Sequence, residues 1–99
     1  MFIAMSKFVV LNDMQEDVSK AFINRPHLVD KEPGFVRMEV LNPVDKPEEF
    51  ILMTYWQDEA SWKQWFKSHA YKQSHKGMPK GLKLAPKSTE LGYYHLLSE

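Results

Sequence analysis

The segment SWKQWFKSHAYKQSHKG, residues 61–77, concentrates side chains that can bind and act. It holds Trp62, Trp65, Phe66, Tyr71, His69 and His75, and no acidic residue. At about 100° per residue, Trp62, Trp65, Phe66 and His69 fall within an arc of roughly 100° on a helix, with Lys63, Gln64 and Lys67 outside it. A face of this kind either packs a core, the commoner use of large apolar side chains, or lines a ligand site. His75 does not fit one straight helix, because it lies roughly 140° from Trp62. Ser68 offers a way out: it can cap a second short helix over 69–76, with a bend between the two. There Tyr71 and His75 are neighbours four residues apart, and the bend turns His75 towards the aromatic wall. Without the bend, His75 is an exposed histidine in a last helical turn, where the dipole favours it.

Other candidate chemistry is weaker. His27 sits in a connector and His95 in a strand, neither at metal-ligand spacing from another histidine or a carboxylate. His69 reads as structural. Glu16-Asp17, Glu48-Glu49 and Asp58-Glu59 occupy turns and helix starts, so they do not form a catalytic pair at a defined cleft. No Gly-x-Ser-x-Gly elbow accompanies Ser6 and His75, which argues against a hydrolase. Lys72, Lys76, Lys80 and Lys83 follow the aromatic segment and read either as a solvated basic loop or as anion-binding groups at a cleft mouth.

These residues need a scaffold. Residues 2–11, FIAMSKFVVL, read as a strand with Phe2, Ala4, Ser6, Phe8 and Val10 on one face and Ile3, Met5, Lys7, Val9 and Leu11 on the other. Residues 13–25 carry Met14, Val18, Ala21 and Phe22 at helical spacing, with Asp13 as expected N-cap and Glu16 as its capping-box partner. Pro26 ends that helix, and Pro33-Gly34 marks a turn. FVRMEVLN (35–42) alternates, with Phe35, Arg37, Glu39 and Leu41 on one face. FILMTYW (50–56) follows as a strand, Asp58-Glu59 open the aromatic helix, and TELGYYHLL (89–97) closes the chain as a strand. The order β-α-β-β-α-β predicts a ferredoxin-like α+β fold, one antiparallel sheet with helices on one face. Two helices cover one side only, so the apolar residues on the other predict a homodimer through the sheet faces.

The bulk properties agree. Ninety-nine residues make one domain, 1–99. Thirteen basic residues balance 13 acidic ones, which removes the electrostatic case for nucleic acid or a membrane surface as partner. The absence of cysteine excludes disulfides, zinc-thiolate sites and cysteine nucleophiles. The apolar start MFIAMSKFVV lacks a basic leader and a cleavage site, and the expectation is a cytoplasmic protein.

PGF at 33–35 and TYWQDEASWKQWFKSHAYKQSH at 54–75 together resemble the antibiotic biosynthesis monooxygenase (ABM) domain family. The matching positions are Trp56, Trp65, Ser68, Tyr71 and His75, and the resemblance covers nearly the whole chain. Within the family, the chain is most similar to haem-degrading monooxygenases of the IsdG type. The resemblance implies a dimeric α+β barrel with haem, as ligand and substrate, in a cleft between helices and sheet. By the same resemblance, His75 is the proximal iron ligand, Trp65 presses on and distorts the porphyrin, and Phe22 and Arg25 face the cleft. An electron donor would be required. The family places an asparagine on the first strand near the distal oxygen. Here that position is Ser6, which keeps a hydroxyl donor but is shorter by an amide. Two alternatives follow from that departure. One is a monooxygenase needing no cofactor that oxidises a quinol or phenolic small molecule. The other is a dimeric haem-binding protein without enzymatic activity.

Overall fold

A computed structural model describes residues 1–68, Tyr71 and residues 81–99. The described elements run β1 (Phe2–Val9), α1 (Gln15–Ile23), a 3-10 turn (Val29–Lys31), β2 (Phe35–Leu41), β3 (Glu49–Trp56), α2 (Glu59–Phe66) and β4 (Glu90–His95). The four strands form one antiparallel sheet in the order β2-β3-β1-β4. The expected ferredoxin-like α+β architecture is therefore present.

Local boundaries differ from the expectations where backbone geometry intervenes. β1 stops at Val9, and Val10 makes only an isolated bridge to Leu84. Asn12 and Asp13 both stand in the left-handed region, at φ 62° and 54°, a conformation that asparagine and aspartate tolerate. That turn removes Asp13 from the capping position. Met14 is the N-cap of α1, with no side-chain capping bond, so the Asp13–Glu16 capping box does not form. Around β2, the pairing with β3 shifts between Phe35 and Arg37. The extra residue leaves Phe35 packed on Trp56, at 5.5 Å between ring centroids, instead of on the face of Arg37 and Glu39.

The helix-facing core divides into two clusters. Phe2, Ala4, Val29, Trp56 and Trp65 gather at one end of the sheet, and Val10, Val18 and Phe50 at the other. The register explains the division. Phe2 pairs with Trp56 and Phe8 with Phe50, while the smaller Ala4 and Ser6 lie between, opposite Thr54 and Leu52. Large rings thus stand at both ends of this face, and Ala4, Ser6 and Thr54 are the smaller side chains between them. Gly34 fixes where α2 begins. Its φ is +82°, and a Cβ there would overlap the Ser61 side chain. Ser61 in turn donates its N–H to Asp58 Oδ1 at 2.8 Å, the N-cap bond of α2.

The opposite sheet face carries no helix among the described residues. Ile3, Met5, Val9, Ile51 and Met53 lie there beside a polar margin, with Lys7 and Glu49 paired at 2.7 Å. The hydrogen bond to Glu49 holds the Lys7 ammonium above its ordinary pKa. Tyr55 donates to Glu39 Oε1 at 2.7 Å, and the Arg37 guanidinium sits 4.0 Å from its ring centroid.

Candidate functional site

The space between the two clusters is a cavity of about 400 Å³, within the range of small-molecule sites. Its sheet-side wall comes from Ala4, Ser6, Met38, Leu52 and Thr54, and its helical walls from Ala21 and Phe22 on α1 and Trp62, Trp65 and Phe66 on α2. Arg25 and His27 stand at its edge, on the connector after α1. Four residues singled out from the sequence, Ser6, Phe22, Arg25 and Trp65, thus line one space.

Each is placed by its element. Trp65 is buried, on the inner face of α2. Lys63, Gln64 and Lys67 are exposed, as the helical wheel requires. Phe22 packs with Phe8 and Phe50, at 6.3 and 6.0 Å between centroids, and forms the opposite wall. Ser6 lies on a central strand, and its hydroxyl has no hydrogen-bond partner among the described residues, so it is available to a cavity occupant. Thr54 is already engaged: its hydroxyl accepts from Trp56 Nε1 at 2.9 Å and donates to the Ala4 carbonyl at 3.4 Å.

The expected interruption at Ser68 is observed on its first side. α2 ends at Phe66, with Lys67 as C-cap. Ser68 Oγ donates to the Trp65 carbonyl at 2.7 Å and accepts the Tyr71 N–H at 3.1 Å, the second being the bond of a helix N-cap. Tyr71 rests edge-on against Trp65, with centroids 5.7 Å apart and planes at 81°, and extends the aromatic wall. Burial pushes the Tyr71 hydroxyl above its ordinary pKa, and neighbouring Tyr93 adds to that. His69, His75, Lys72, Lys76 and Lys80 lie outside the described residues. Lys83 is exposed. His95 lies against Phe2, 6.3 Å between centroids.

The lip holds a group that the sequence did not single out. Asp30, in the 3-10 turn, accepts from Arg25 Nη1 at 2.9 Å and pairs with His27 Nδ1 at 3.2 Å. Burial pushes its carboxyl up, but the hydrogen bonds and charges of Arg25 and His27 outweigh that and leave it below the ordinary carboxylate value. Arg-x-x-x-x-Asp spacing in a connector carries no periodicity, so only the turn at His27 (φ 57°) reveals the cluster.

The cavity can take a flat apolar ligand between aromatic walls. The sheet brings the Ser6, Thr54 and Tyr93 hydroxyls to its lining, of which Thr54 is engaged, and Arg25 brings one guanidinium to the edge. Among its described lining residues there is no carboxylate, and none of the described residues forms a metal-binding cluster of histidines and carboxylates. No described helix is long and apolar enough to cross a membrane.

Comparisons with known proteins agree with this architecture. A family model described as antibiotic biosynthesis monooxygenase matches residues 1–77. The chain is 34% identical over 101 residues to the haem-degrading monooxygenase HmoA of Bacillus subtilis (strain 168), covering 97% of this chain and 91% of that protein. It is similar in structure to the haem degrader MhuD of Mycobacterium tuberculosis, solved with two haems in its active site, at a TM-score of 0.80, with 20% identity and coverage of 100% and 98% of the two chains. It is also similar to SnoaB, a cofactor-independent oxygenase from Streptomyces nogalater, at a TM-score of 0.77, with 16% identity and coverage of 99% and 94%. At these identities the two structural likenesses carry the fold.

Proposed function

The chain belongs to the antibiotic biosynthesis monooxygenase family, and from that premise we propose that it binds haem in the cavity and degrades it oxidatively. The observation that carries this reading is the cavity itself: apolar, walled by Trp65 and Phe22, and edged by a single guanidinium. A porphyrin has the matching form, a flat apolar ring with carboxylates at one edge. Similarity to HmoA across nearly the whole chain supports the same substrate.

In this reading, bound haem supplies both the iron chemistry and the ring that is oxidised. The protein's residues hold it. His75 is the proposed iron ligand, through a neutral imidazole. Trp65, packed edge-on by Tyr71, would stand against the ring and favour its distortion. Phe22 packs against it from the other wall. Ser6 offers its hydroxyl on the sheet side, directly or through one water. Arg25 pairs with a ring carboxylate at the edge. The largely apolar lining would shield much of the ring from bulk water. Reducing equivalents come from an external donor.

A homodimer through the helix-free sheet face completes the proposal. Met5, Ile51 and Met53, each half-buried, form an apolar strip, and a two-fold axis would match it with its own copy. The proposed setting is the cytoplasm.

Hemin titration of the purified protein tests the substrate. A saturable Soret shift followed by loss of the band with ascorbate is expected. A shift without any loss of the band would leave a haem-binding protein that does not turn haem over.

Ser6 favours one competing reading. With a serine where the family has an asparagine, the cavity suits direct oxidation of an aromatic small molecule without a cofactor, and the fold is shared with SnoaB. Oxygen uptake with quinols in haem-free protein would be its signature.

A further inference from the structure

The lip cluster contains a residue with no part in the scheme above. Arg25 follows the C-cap Asn24 of α1, and its backbone N–H donates to the Phe22 carbonyl at 3.2 Å. Pro26 then restricts Arg25 to extended backbone. His27 takes a left-handed backbone at φ 57°, and the chain turns into Val29–Lys31. Val29 is buried, and Leu28 packs against the same core cluster. Asp30 is therefore fixed relative to Arg25 by backbone on both sides.

Its carboxylate joins two basic side chains. Oδ1 accepts from Arg25 Nη1, and Oδ2 pairs with His27 Nδ1. The Arg25 side chain is 19% exposed and that of Asp30 39%, so the guanidinium lies inward and the carboxylate outward. Arg25 makes no other side-chain hydrogen bond among the described residues. Most of its donor fork thus remains available where it borders the cavity.

We propose that Asp30 is a positioning residue: bonded to Arg25 on one side and braced by His27 on the other, it holds the guanidinium at the cavity mouth for the carboxylate of a planar ligand. This rests on the porphyrin reading of the cavity. An unrestrained arginine loses rotamer freedom when it binds, and a fixed one has lost it already, so the restraint raises affinity for carboxylate-bearing ligands. Asp30 is also an anion near the incoming one. Because it engages only Nη1, its restraint of Arg25 prevails over its competition with the ligand.

Binding of protoporphyrin IX and of its dimethyl ester, followed by quenching of tryptophan fluorescence, tests the assignment. Wild type should prefer the free acid. Asp30→Asn should weaken the acid roughly tenfold and leave the ester unchanged. Asp30→Glu should recover most of the acid affinity. In an Arg25→Gln background, Asp30→Asn should have no further effect on the acid. An Asp30→Asn protein that binds the acid as well as or better than wild type overturns the proposal. So does one that weakens acid and ester equally, which marks a structural role. If Asp30→Asn does not fold, His27→Asn, which removes the brace and a side chain of the cavity edge, carries the test: a smaller loss for the acid with the ester unchanged is expected, and no loss, or an equal loss for acid and ester, overturns it. Wild type that binds neither porphyrin brings down the cavity reading and this assignment with it. Wild type that binds both, with an acid preference unchanged in Asp30→Asn, brings down the positioning assignment alone.

Discussion

Ser6 is the residue on which turnover is expected to depend. Its hydroxyl meets the cavity from a central strand between Leu52 and Leu91, where a longer amide would project further into the space. Ser6→Asn is expected to increase bilin-type product formed from haem and ascorbate; unchanged product would place the limit elsewhere. Two carboxyl groups give the protein an acid-sensitive limb. Asp30 is held below its ordinary value against the pull of burial, and Asp58 is held below it by the Ser61 hydroxyl and N–H. A depressed carboxyl contributes stability that is complete above the unfolded value, about 3.9, and is lost as pH falls through the folded value. The melting temperature should therefore fall below about pH 4, and less steeply in Asp58→Asn than in wild type; parallel curves would contradict this. At this scale the sequence announced Trp65, Phe22, Arg25 and Ser6 by residue type, position and family resemblance. It did not announce Asp30, whose partners Arg25 and His27 are assembled by a left-handed turn that no spacing rule encodes.

At the scale of elements, the cavity follows from one pattern along β1 and its partner β3. Phe2, Ala4, Ser6 and Phe8 run large, small, small, large, opposite Trp56, Thr54, Leu52 and Phe50. That pattern was legible, but alternation alone assigned only faces and did not weigh side-chain size along them. The shift at Phe35 was not legible, because β2 read as a regular strand until its pairing with β3 was known. The break at Ser68 was legible from the misplacement of His75 on a straight helix, and the bonds of Ser68 to Trp65 and Tyr71 agree with it. Gly34 joins the start of β2 to the start of α2 through Ser61. Gly34→Ala combines a left-handed backbone with steric overlap and should destabilise the fold by about 1–3 kcal/mol in chemical denaturation. An unchanged midpoint would mean that the β2 and α2 starts are not coupled through this contact.

For the whole molecule, the two faces of the sheet differ. One, under the helices, encloses the cavity. The other carries the half-buried apolar strip of Met5, Ile51 and Met53 with Lys7–Glu49 and Tyr55–Glu39 beside it. If that strip joins two copies, sedimentation should give twice the 11.7 kDa chain mass, and Ile51→Glu with Met53→Lys should halve it while circular dichroism is retained. A wild-type monomer would remove the sheet face from the proposal and leave the cavity untouched. The cavity and its ligand decide what the molecule does. Titrating wild type and His75→Ala with hemin and recording the Soret band settles whether that ligand is haem. A saturable shift is expected in wild type, lost or displaced in His75→Ala. No saturable shift, or an identical one in both proteins, would contradict this.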